Sequence, residues 1–154
     1  MSLLSLLQTA CCAPKDVPIE KFSFNHDGTR GGDSFEWSIK READGAIRFT
    51  NRNYIYEEYN FSKTMPTSFM DSLEAICRQY KVYRWDGFRK HNRLVCDGTG
   101  FSLNIRYANG KTVEAHGMNR FPKNYSSFRD DLYTLCRPVV EQFKEAKKTE
   151  NDKK

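Results

Sequence analysis

The chain is expected to fold as one α+β domain in two layers, with two helices on one face of an antiparallel sheet of about five to six strands. Three observations predict this: short segments of strict apolar/polar alternation, turn dipeptides that close them into hairpins, and two apolar stripes at helical spacing. At 154 residues, 38% apolar and 14% aromatic, the chain can bury a real core without metals or staples. It contains no apolar run near the roughly 18 residues of a membrane-spanning helix.

Taken in order, residues 1–20 read as a targeting remnant and linker, 21–143 as the domain, and 144–154 as a charged flexible tail. Phe22 and Phe24 mark a first strand. Phe35, Trp37 and Ile39 alternate with Glu36, Ser38 and Lys40, Asp44-Gly45 turns the chain, and Ile47 with Phe49 starts the return. Tyr54, Ile55, Tyr56, Tyr59 and Phe61 suggest a further strand by β-propensity. Pro66-Thr67-Ser68 opens a helix near 67–80, with Phe69, Leu73, Ile76, Cys77 and Tyr80 on one stripe. Residues 81–100 read as irregular. Phe101, Leu103, Ile105 and Tyr107 make a strand, Asn109-Gly110 a hairpin turn, and Val113 with Ala115 the return. Ser126 or Ser127 caps a last helix near 126–142, with Phe128, Leu132, Leu135, Cys136, Val139 and Phe143 inward. Pro138 predicts a kink or break near Arg137.

The two helical segments match. Residues 68–78 and 127–137 share Ser, Phe, Asp, Leu, Cys and Arg at equivalent places, and each follows a similar hairpin. A duplicated hairpin–helix unit is the expectation. Equivalent places put Cys77 and Cys136 inward on neighbouring helices, as buried thiols or, if their Cα atoms approach within about 7 Å, as a disulfide. Asp71, Asp130 and Asp131 are expected in first helical turns, where the helix dipole favours negative charge.

The N-terminus carries Leu3, Leu4, Leu6 and Leu7 before Thr9-Ala10-Cys11-Cys12. A short apolar stretch ending in a small residue before Cys is the pattern of a bacterial lipoprotein signal. It makes Cys11 the candidate lipidation site and the cell envelope, periplasmic or surface-exposed, the expected location. The alternative is a short amphipathic helix of a cytoplasmic protein. On the lipoprotein reading, membrane contact is expected only through the lipid anchor.

From about Tyr80 to Leu132, a series of motifs recurs in order: Trp85-Asp86-Gly87-Phe88, Asp97-Gly98, Phe101-Ser102-Leu103, Asn109-Gly110-Lys111, Ala115-His116-Gly117-Met118-Asn119 and Phe121-Pro122-Lys123-Asn124-Tyr125. Together they resemble an uncharacterised family of small secreted or lipid-anchored domains from gut anaerobic bacteria. The resemblance implies an exported domain and carries no activity. Two features depart from it: the loop Arg89–Arg93 is basic where that family is associated with acidic residues, and the Cys77/Cys136 pair is foreign to it.

No phosphate-cradling glycine loop, zinc spacing or nucleophile elbow occurs, so no metal or cofactor is expected. A hydrolase-type enzyme would have to use His116 with Asp86 or Asp97. Cys96 follows Leu94-Val95 and reads as the end of a short apolar run, a poor setting for a nucleophile. Of the net charge of +5, the tail after Phe143 accounts for +2. That balance argues against nucleic acid as a partner.

One stretch concentrates charge. Arg78, Lys81, Arg84, Arg89, Lys90 and Arg93 surround the single acid Asp86, interleaved with Tyr80, Tyr83, Trp85 and Phe88. Cations among aromatics suit anionic ligands. The candidate binding residues are therefore Trp85, Asp86, Phe88, Arg89, Lys90, Arg93, His116 and Asn119. The expected function is a non-catalytic binding or structural domain of the envelope, its partner an envelope protein or an anionic glycan. An inhibitor-like or polyanion-binding module is the further alternative.

Overall fold

Strict alternation decides which face of a strand is buried, because successive side chains leave a strand on opposite sides. The computed structural model describes residues 16–28, 34–95 and 98–153. Its strands are β1 (Ile19–Asp27), β2 (Phe35–Arg41), β3 (Ile47–Asn53), β4 (Phe61–Met65), β5 (Arg89–His91), β6 (Gly100–Tyr107) and β7 (Thr112–Met118). They form one sheet in the order β4-β3-β2-β1-β6-β7-β5. All pairs are antiparallel except β5 with β7.

The alternating residues all land on one face. Phe22 and Phe24, Trp37 and Ile39, Ile47 and Phe49, Leu103 and Ile105, and Val113 and Ala115 are buried there. Two helices, α1 (Thr67–Gln79) and α2 (Tyr125–Asn151), cover that face. They run across the strands in opposite directions. Helix α1 starts with Phe69 beside Phe49 (5.8 Å between ring centres), and its Glu74 reaches the amide of Ile19 (2.8 Å). Helix α2 starts with Tyr125 beside Phe101 (4.6 Å), passes Trp37 at Tyr133 (5.3 Å), and ends with Phe143 stacked on Phe61 (4.2 Å). The matching segments 68–78 and 127–137 lie at the starts of these two helices. The fold is thus the two-layer α+β arrangement, with one strand more than the upper expectation.

Four local expectations need correcting. Residues 54–60 do not continue a strand: Asn53 Oδ1 accepts from the amides of Ile55 (2.9 Å) and Tyr56 (2.7 Å), and Asn60 Oδ1 accepts from that of Asn53 (2.6 Å). These side-chain bonds replace the ladder and override the β-propensity of Tyr and Ile. Residues 81–100 are not wholly irregular, since β5 forms there. Helix α1 starts at Thr67, as expected, and α2 at Tyr125, one residue before Ser126, but the capping positions are Pro66 and Asn124 instead of serines, and neither makes a side-chain cap. Asp71, Asp130 and Asp131 consequently lie beyond the first turns. Finally, α2 runs on through Pro138 and past Phe143 to Asn151. The Phe61–Phe143 stack, Lys144 over the Tyr59 ring (5.3 Å) and the Lys147 ammonium donating to the Glu58 carbonyl hold that extension down.

Of the inward stripes, Ile76 and Leu135 are only half-buried, while Met70 and Val140 join the core. Leu73 and Leu132 are wholly buried at matching places under the sheet. Leu73→Ala or Leu132→Ala is expected to lower unfolding free energy by about 2–5 kcal/mol in urea titrations, through lost transfer energy and a residual cavity. A loss under about 1 kcal/mol for either would contradict their place in the core.

Candidate ligand groove

Helix α1 stops at Tyr80, and Lys81 turns the chain by adopting a left-handed backbone (φ 53°). A 3-10 turn, Val82–Trp85, then drops two side chains into the core. Trp85 packs edge-on against Phe128 (5.0 Å) and lies near Tyr125 (6.1 Å). The next residues fasten a new edge to the sheet. Asp86 Oδ1 accepts from the Glu114 amide (2.9 Å), Gly87 N donates to Glu114 O (3.0 Å), and His116 N donates to Phe88 O (2.8 Å). Gly87 has φ 76°, a conformation glycine adopts without strain. The Trp-Asp-Gly-Phe motif thus has a structural account: a plug, a strand-pairing carboxylate, a turn, and an aromatic that leads into β5.

A second loop closes on the same edge. Asn119 is left-handed (φ 54°), and its Oδ1 accepts from the Thr99 amide (3.0 Å). Gly117 permits the close return of this loop, because a Cβ there would meet the Arg120 carbonyl oxygen at 2.1 Å. Phe121 stacks on Tyr125 (4.6 Å, 21°), and Asn124 (φ 66°) starts α2.

Between the two loops runs a groove of about 620 Å³. Its walls carry four cations, Lys81, Arg84, Lys90 and Lys123, together with Trp85, Phe88 and Phe121. No acid lines it. None of the four cations is ion-paired among the described residues. Lys90 lies over the Phe88 ring (5.7 Å) and Arg84 over that of Tyr83 (5.8 Å), so aromatic faces already support two of the charges. At the end of α1, Tyr80 donates its hydroxyl to Asp131 (2.5 Å), which ties α1 to α2 behind the groove and raises the phenol's pKa.

The sequence-predicted residues therefore divide. Trp85, Phe88 and Lys90 come together in the groove. Arg89 and His116 stand on the opposite, uncovered face of the sheet, because neighbouring strand residues point to opposite sides. There they line a shallow depression of about 340 Å³ with Glu114, which pairs with Arg89 (3.2 Å) and accepts from Asn104 Nδ2 (3.3 Å). His116 is within β7, which continues to Met118. Asp86 and Asn119 serve the backbone. Arg93 is exposed beyond β5. Cys11, Cys96 and Asp97 lie outside the described residues. Leu94, in the short apolar run before Cys96, is 93% exposed, because β5 ends after three residues and Asn92 turns the chain outward. Sequence reasoning missed Lys123 as a groove residue; it arrives from more than thirty positions beyond Lys90, with no local signal.

Among the described residues, no three His, Cys, Asp or Glu side chains gather where they could hold a metal ion, and no helix is long and apolar enough to cross a membrane. No protein-family model matches the chain, and no curated protein matches it either.

Cys77 and Cys136 are buried free thiols on the two helices. Burial pushes the Cys77 thiol up to about 12 and raises that of Cys136 in the same direction. Both are expected to resist iodoacetamide at pH 8 in the native protein and to react fully on unfolding. The unfolded chain ionises its thiols first as pH rises, so stability is complete below the ordinary thiol pKa of about 8.5 and declines above it, toward pH 12. Urea midpoints measured between pH 8 and 11 should fall with pH. Rapid native alkylation of Cys77 would contradict its buried placement.

Proposed function

We propose that this chain is a non-catalytic binding domain of a bacterial cell envelope, anchored through lipid on Cys11, that holds anionic groups in the groove between the 3-10 turn and the start of α2. One observation carries the binding reading: four cations that have no ion-pair partner among the described residues converge with aromatic walls in a groove that none of the described acids lines. Phosphate, sulfate or carboxylate groups complement such a surface, and the flat rings of Phe88 and Phe121 give apolar contact beside them. The envelope reading rests on the leucine-rich stretch ending at Ala10-Cys11 and on the resemblance of residues 80–132 to exported domains.

Dextran sulfate is a suitable probe, with neutral dextran as control and Trp85 fluorescence as the readout. Binding is expected only to the sulfated polymer and should weaken as salt rises, because bound cations release counterions. The Lys90→Glu, Lys123→Glu pair is expected to weaken binding at least tenfold and to flatten its salt dependence. Arg89→Glu, on the opposite face, should leave binding unchanged. Equal loss from Arg89→Glu would move the site to the open sheet face. For the anchor, acyl labelling of the protein in cells should vanish with Cys11→Ser; labelling that persists would sink that part of the proposal.

A further inference from the structure

The basic surface continues beyond the groove. After β5, the amide of Asn92 donates to the Met118 carbonyl (2.9 Å), which sets the Arg93–Val95 turn beside the loop that carries Phe121. Leu94 is 93% exposed, Val95 41% and Phe121 39%, so each presents apolar surface to water on the two loops that this bond brings together at one corner. Lys90 in β5 and Arg93, Arg120 and Lys123 in these loops belong to the same edge. Among the described residues from Gly87 to Arg129 the sole acid is Glu114, which Arg89 pairs on the opposite face.

A projecting aliphatic side chain on a basic edge has no use for a soluble polyanion, which offers nothing apolar to cover it. An anionic lipid surface satisfies both features at once: its phosphates meet the cations, and its acyl boundary takes the apolar tip. We propose that this corner docks on an anionic bilayer, with Leu94, Val95 and Phe121 entering the headgroup–acyl boundary and the groove cations meeting lipid phosphates. The inference rests on the anionic-ligand reading of the groove and names the surface that presents the anions.

Vesicles of phosphatidylglycerol and phosphatidylcholine in equal parts are expected to sediment the protein purified without its lipid, and pure phosphatidylcholine vesicles to leave it in solution. Leu94→Asn should lower vesicle binding at least tenfold and leave dextran sulfate binding unchanged, whereas the Lys90→Glu, Lys123→Glu pair lowers both. Leu94 is solvent-exposed, so neither its Asn nor its Trp variant disturbs the core. The fluorescence of Leu94→Trp should shift to the blue on anionic vesicles. Dextran sulfate binding without vesicle binding, or vesicle binding that ignores Leu94→Asn, overturns the bilayer docking and leaves the groove reading standing. If the protein binds neither probe, the groove reading falls and the docking with it.

Discussion

Phe22 and Phe24 hold the middle of this molecule. Both are wholly buried in β1, between the β2–β3 hairpin on one side and the β6–β7 hairpin on the other. The β1 ladder is what makes one sheet of two hairpins, and its apolar side is where the helices meet. Phe24 touches Phe35 across the strand gap and Phe128 from α2 (6.5 and 6.2 Å), so sheet and helix layers are locked at the same ring. Hairpins alone are marginal in water, and only the shared apolar face makes them stable together.

The groove inherits its shape from that core. Trp85 is buried because Phe128 and Tyr125 leave a slot at the start of α2, and the chain on either side of the plug is held close to the sheet edge. The strained or permissive backbones cluster there as well: Lys81, Gly87, Asn119 and Asn124 all have positive φ around the same edge. A left-handed lysine is unfavourable in itself, and it persists here because α1 and the plug determine the path on both sides. The cations are therefore presented by short, pinned loops.

Much of the fold was legible because burial on one side writes period two into strands and period 3.6 into helices. Phe35-Trp37-Ile39 and Phe101-Leu103-Ile105 announced themselves in this way. Strand β5 did not, since Arg89, Lys90 and His91 are all exposed and its partner β7 is distant in sequence. Had that strand been recognised, alternation would have separated Arg89 from Lys90 at once. The extension of α2 depends on Phe61, some eighty residues earlier, and nothing in the charged tail signals it. At the site, Trp85, Phe88 and Lys90 were visible as a local cluster of charge and aromatics. Lys123 and the exposed Leu94 follow from how loops return to an edge, which composition does not encode.

The place of β1 also limits how an anchored domain could sit. Pro18, whose carbonyl accepts from Ala108 N (2.9 Å), lies at the end of the sheet opposite Leu94, three strands in from β5. Standing on its Leu94 end, the domain would lift Pro18 by the length of the nine-residue β1, roughly 30 Å. The stretch from Cys11 to Pro18 reaches at most about 25 Å when fully extended. Lying on the β5 side, Pro18 is only about 14 Å up, three strand spacings. An acylated Cys11 would thus forbid an upright posture and tip the sheet onto its basic side, with the β4 side turned toward whatever lies above the bilayer.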